Sequence, residues 1–92
     1  MIKSFRHKGL ARYFEHNDRR GIDAKQSPRI KRIIDALDQA GSPEQMNIPG
    51  WLLHPLTGSR KGVWSVGVSG NWRITFEFNG TDAVNVNLED YH

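Results

Sequence analysis

Ahead of Pro43 the apolar residues recur with helical spacing, and beyond it they recur every second position, as strands require. Ile2 to Phe5 reads as a short strand. Leu10, Tyr13 and Phe14 then give the stripe of a first helix over about residues 7–16. From Asn17 to Gln26 the chain is polar and without apolar period, a loop with Ile22 as its one candidate anchor. Ser27 and Pro28 look like an N-cap followed by a first-turn proline. Behind them Ile30, Ile33, Ile34, Leu37 and Ala40 form a continuous stripe, Arg29, Lys31, Arg32, Asp35 and Asp38 take the opposite face, and Gly41 supplies a stop.

Pro43, Pro49, Gly50 and Pro55 keep the next stretch irregular, with a short strand at Trp51 to Leu53. Alternation then places Trp64, Val66 and Val68 together, Trp72, Ile74, Phe76 and Phe78 together, and Val84, Val86 and Leu88 together. Ser69-Gly70-Asn71 and Asn79-Gly80-Thr81-Asp82 turn the chain between these runs, so the pattern predicts an antiparallel meander. Two helices ahead of such a sheet cover its apolar face, with Trp64, Trp72 and Phe76 against the Ile30 to Leu37 stripe. The other face, with Ser65, Gly67, Arg73, Thr75, Glu77, Asn85 and Asn87, is expected to be polar, shallow and open, suited to a long flat substrate. The fold class is α+β.

Ninety-two residues suit one domain, 1–92, that folds without staples. The absence of cysteine excludes disulfides and thiolate zinc sites and favours a reducing compartment, the cytoplasm. Nothing approaches a signal sequence or the roughly 18 apolar residues of a membrane span, so no membrane association is expected. The net charge of +3 hides an asymmetry: residues 1–34 hold ten Lys or Arg against three acids, and residues 35–92 hold three against seven. That front attracts polyanions, although a merely solvated helical face explains it equally well.

Phosphate-binding glycine loops, paired-histidine zinc helices and nucleophile elbows are absent, and the acids are spread singly rather than clustered as a two-metal nuclease needs. No metal and no cofactor is therefore expected. Metal-free cleavage of a phosphodiester is practical when the substrate brings its own nucleophile, as RNA does with its 2′-hydroxyl. Such a reaction needs a base, an acid and a cation. The candidates are His54, Arg60, Lys61 and Arg73, then the terminal Asp90, Tyr91 and His92. Each has a dull reading: His54 beside Pro55 shaping a turn, Arg73 pairing with a surface acid, His92 a frayed end. Arg73, however, interrupts an apolar alternation on the open side. Strict alternation puts Asp90 and His92 on the core side, so the end of the chain has to twist to deliver them.

Met1-Ile2-Lys3-Ser4-Phe5 with His7-Lys8-Gly9-Leu10, the loop His54-Pro55-Leu56-Thr57-Gly58-Ser59-Arg60-Lys61-Gly62, the run Asn71-Trp72-Arg73-Ile74-Thr75-Phe76 and the ending Glu89-Asp90-Tyr91-His92 resemble the HigB toxins of toxin-antitoxin modules, within the RelE-like superfamily. The resemblance spans nearly the whole chain. It implies the RelE-like fold, a curved antiparallel sheet with two N-terminal helices on one face. It further implies cleavage of mRNA in the ribosomal decoding site through 2′-hydroxyl attack, with His54 and His92 as acid and base in either order, Arg73 as the phosphate-stabilising cation, and Asp90 and Tyr91 in support. Basic side chains, Lys8 and Arg12 on the first helix and Arg60 and Lys61 on the loop, would contact RNA.

Where the family often carries Lys in the His-Pro-Leu-x-Gly loop, this chain has Thr57. The implied partners are the ribosome with its mRNA and a helix-turn-helix antitoxin, through whose complex alone operator DNA would be met. Two other readings stay open: a module of the same fold with weak or lost catalysis, and a ribonuclease that needs no ribosome.

Overall fold

The computed structural model describes residues 1–90. Helix α1 spans Lys8–His16 and helix α2 Ser27–Gln39. Strands β1 (His54–Pro55), β2 (Trp64–Ser69), β3 (Trp72–Asn79) and β4 (Asp82–Asp90) form one antiparallel sheet in chain order, each paired with the next. Single turns of 3-10 helix at Pro43–Met46 and Gly58–Arg60 punctuate the connections. The α+β architecture expected from the pattern is thus present, with the helices on one face, and it has the layout that the resemblance implied.

Ile30, Ile33, Ile34 and Leu37 from α2 and Leu10 and Tyr13 from α1 are buried with Val66, Ile74, Phe76, Ala83 and Val86 of the sheet. The apolar stripe at helical spacing meets the apolar face at strand spacing, which is why these two patterns fold onto each other. Helix α1 begins with His7, whose Nδ1 accepts from the Leu10 amide at 3.1 Å. Helix α2 starts one residue earlier than expected: Gln26 holds the cap position, while the Ser27 hydroxyl donates back to Ala24 O.

Several expectations are corrected. Residues 2–5 form no strand; isolated parallel bridges, Ile2 to Ala83 and Phe5 to Val86, lay them along β4. Lys3 N donates to Ala83 O and Arg6 N to Val86 O, and the Ser4 hydroxyl takes the Asn85 amide, so a side chain substitutes for one rung of the ladder. Trp51–Leu53 is no strand either, because Leu52 adopts a left-handed φ of 54° that extended pairing forbids. Trp72 is 38% exposed rather than core, since it borders the hairpin turn where the β2–β3 register shifts.

In β4 it is Ala83, not Val84, that joins Val86 in the core. Asn85 and Val86 together oppose Phe76, a bulge with Asn85 at φ 54°, and one extra residue reverses the alternation behind it. No helix among the described residues is long and apolar enough to cross a membrane.

Candidate active site

The face away from the helices is a cleft, not the shallow platform expected. Ser65 and Thr75 are buried at its floor because the 56–63 loop folds over them. The depression measures about 460 Å³ and is lined by His54, Thr57, Arg60, Arg73, Glu89 and Asp90 together with Ser65, Thr75, Pro55 and Leu56.

Each polar group reaches the cleft for a traceable reason. Arg29 of α2 donates from Nε to Gly67 O at 3.2 Å and from Nη2 to Gly50 O at 2.9 Å, and Gly67 N donates to Trp51 O at 2.7 Å. Those bonds fasten residues 50–51 to β2. The left-handed turn at Leu52 then aims its carbonyl at His54, whose Nδ1 lies 3.1 Å away. A carbonyl only accepts, so Nδ1 carries the proton, and in the neutral ring Nε2 is the lone-pair nitrogen. His54 is further held by its pairing with Ser65 at the sheet edge.

Arg73 sits opposite Gly67 in the β2–β3 register, and its guanidinium lies over that residue: a methyl built on Gly67 would touch Nη1 at 3.4 Å. The bare glycine leaves room for the cation above the sheet. Asp90, placed on the core side by strict alternation, instead lies at the exposed rim of the cleft.

Glu89 was not singled out from the sequence, although carrying the Asn85, Asn87 alternation two positions onward leads to it. Arg60 donates from Nη1 to Glu89 Oε1 at 2.8 Å and from Nη2 to Oε2 at 2.6 Å, and Thr75 Oγ1 donates to the same carboxylate. The Arg60 hydrogen bonds hold the Glu89 carboxyl below its usual range, and reciprocally Glu89 raises Arg60. Arg60, expected as an RNA contact, is therefore paired across the cleft.

His54, Arg73, Asp90 and Arg60 thus share one cavity. Lys61 lines a neighbouring one, and Lys8 and Arg12 are exposed on α1 and line neither. Tyr91 and His92 lie outside the described residues. Among the described residues no three His, Asp or Glu side chains gather closely enough to hold a metal ion.

Comparison with known proteins identifies the family. Residues 3–92 match the family model described as the RelE-like toxin HigB of type II toxin-antitoxin systems. The chain is 47% identical over 92 residues to the Endoribonuclease HigB of Proteus vulgaris, covering all of both chains. A two-helix, four-stranded fold whose open face carries His54 and Arg73, matched from end to end in this way, makes the chain a member of the HigB-like toxin family.

Proposed function

We propose that this chain is the toxin of a toxin-antitoxin pair and an endoribonuclease that cuts mRNA held in the ribosome, using the 2′-hydroxyl of the substrate as nucleophile and no metal. The observation that carries the reading is the placing of His54 and Arg73 in one polar cleft, in a chain 47% identical to a named endoribonuclease. Nε2 of His54 takes the 2′ proton, the role its Leu52-fixed tautomer suits. The guanidinium of Arg73 stabilises the phosphorane. His92 then serves as the acid that protonates the departing 5′ oxygen, with Asp90 and Tyr91 in support.

Thr57 lies on the cleft wall where the family often has Lys, and Arg60 or Lys61, a few residues on, supplies the charge in its place. The basic surface that includes Lys8 and Arg12 faces ribosomal RNA in this reading. A helix-turn-helix antitoxin neutralises the toxin, and the protein works in the cytoplasm.

Brief expression in cells, followed by mapping of RNA 5′ ends, tests the proposal. Growth arrest with cuts inside translated codons supports it; cutting of naked RNA to the same pattern supports a ribosome-independent ribonuclease. Absence of both arrest and cutting points to the catalytically silent module that Thr57 raises. His92→Ala is expected to abolish toxicity while the protein stays folded, and a fully toxic variant refutes the site.

A further inference from the structure

Beside the main cleft lies a second depression of about 310 Å³, and the two share Arg60, Thr75 and Glu89 as a common wall. Its own lining includes Arg6, Ser59, Lys61, Glu77 and Asn85. Arg6 enters from the N-terminal segment, which its backbone amide ties to Val86 O at 2.8 Å. Lys61 enters from the opposite side, directly behind the 3-10 turn at Gly58–Arg60, with its amide on Gly58 O at 3.2 Å.

The charge balance distinguishes this depression. Among the described residues neither Arg6 nor Lys61 makes a side-chain ion pair, whereas Arg60 and Glu89 neutralise each other in the wall. The remaining acid, Glu77, accepts from Asn85 Nδ2 at 3.0 Å, an amide that the left-handed bulge residue turns toward it. Two uncommitted cations thus face one partly compensated carboxylate in a polar hollow. That is the composition of a phosphate site with hydrogen-bonding groups beside it.

We infer that Arg6 and Lys61 form a second RNA subsite, which takes the backbone phosphate next to the scissile one as the strand passes over the Arg60–Glu89 wall. This rests on the proposed RNA cleavage. The chemical logic is that a strand lying in the first cleft must leave it. The exit over the wall offers the two cations Arg6 and Lys61, with Glu89 paired to Arg60 and Glu77 hydrogen-bonded by Asn85 beside them. The subsite holds the strand without touching the reacting atoms, so its contribution is to substrate capture.

The test uses the full-length protein and ribosomes programmed with a short mRNA in which single linkages around the cut are replaced, one at a time, by uncharged methylphosphonates. In the wild type, neutralising one linkage adjacent to the cut is expected to raise KM about tenfold, the effect of one lost charge-assisted hydrogen bond. In Arg6→Gln/Lys61→Gln the unmodified mRNA already shows that raised KM, and the same replacement adds nothing. Equal penalties in wild type and double variant, or no penalty at any adjacent linkage, overturn the subsite. A wild type that cleaves no RNA, on or off the ribosome, overturns instead the activity on which the subsite depends.

Discussion

Arg60 and Glu89, 29 residues apart in sequence, meet across the cleft in a two-pronged ion pair with N–O distances of 2.8 and 2.6 Å. This pair pins the 56–63 loop to the last strand and divides the open face of the sheet into two hollows.

Because both partners are partly exposed, Glu89→Gln is expected to cost only about 1 kcal/mol at neutral pH, measured by urea unfolding. The pH dependence is sharper as a test. The folded carboxyl is held below its ordinary value of 4.5, chiefly by Arg60, so its contribution is complete above 4.5 and is lost as pH falls through the folded value. Glu89→Gln should flatten that acid limb; an unchanged limb removes the pair from the stability of the loop.

His7 works in the opposite chemical sense. Its Nδ1 caps α1 as an acceptor, and burial, aided by the Arg12 charge, lowers its pKa from the ordinary 6.5. The folded state binds the proton less readily than the unfolded chain, so stability is full above 6.5 and declines as pH falls from there toward the lowered value. His7→Asn, which retains a capping oxygen, is expected to keep stability at pH 7.5 within about 1 kcal/mol and to lose this pH dependence. Calorimetry across pH 5 to 8 reads both.

Gly9 and Gly21 approach backbone to backbone: a Cβ on Gly9 would stand 2.8 Å from Gly21 O, and one on Gly21 would stand 2.9 Å from Gly9 Cα. Neither obstacle is a side chain that can rotate away. Gly9→Ala and Gly21→Ala are each expected to cost about 1–3 kcal/mol by forcing the 17–26 loop off α1, with the double variant costing less than the sum. Wild-type stability in either single variant would contradict the contact.

Leu52 is 66% exposed, so its side chain contributes little burial, but its φ of 54° aims the carbonyl at His54. Leu52→Val, β-branched and ill suited to that region, should lose about 1–2 kcal/mol and lower cleavage. Leu52→Gly should preserve cleavage. Nitrogen chemical shifts of the His54 ring provide the independent readout: the proton sits on Nδ1 in wild type and in Leu52→Gly, and loses that preference in Leu52→Val.

Thr57→Lys places a cation on the cleft wall where the family often has one. Cleavage on programmed ribosomes is expected to rise on the order of tenfold, one added charge-assisted contact to the phosphate. Arg60→Ala in the Thr57 background should lower it; if Arg60→Ala and Lys61→Ala both leave cleavage untouched, neither residue replaces the missing lysine.

The sequence by itself determined the two helices, the strand alternation and hence which sides of α2, β2 and β3 meet, because burial of Ile30 to Leu37 against Val66, Ile74 and Phe76 follows from periodicity alone. It also singled out Arg73, an arginine inside an apolar alternation, whereas His54 was a candidate by its chemistry and by the family resemblance. Where alternation fails, the tertiary structure decided. The bulge at Asn85 swaps Val84 for Ala83 in the core, and Ser4, arriving from the far end of the chain, accepts the Asn85 amide there.

The cleft itself was decided in the same way. Arg29, indistinguishable in sequence from its solvated neighbours, fixes the turn that orients His54, and Glu89 meets Arg60 only once the loop has closed over the sheet. Local spacing encodes which face a side chain occupies. Which partner it finds there depends on loop closure between distant residues, and that is settled only when the whole chain packs.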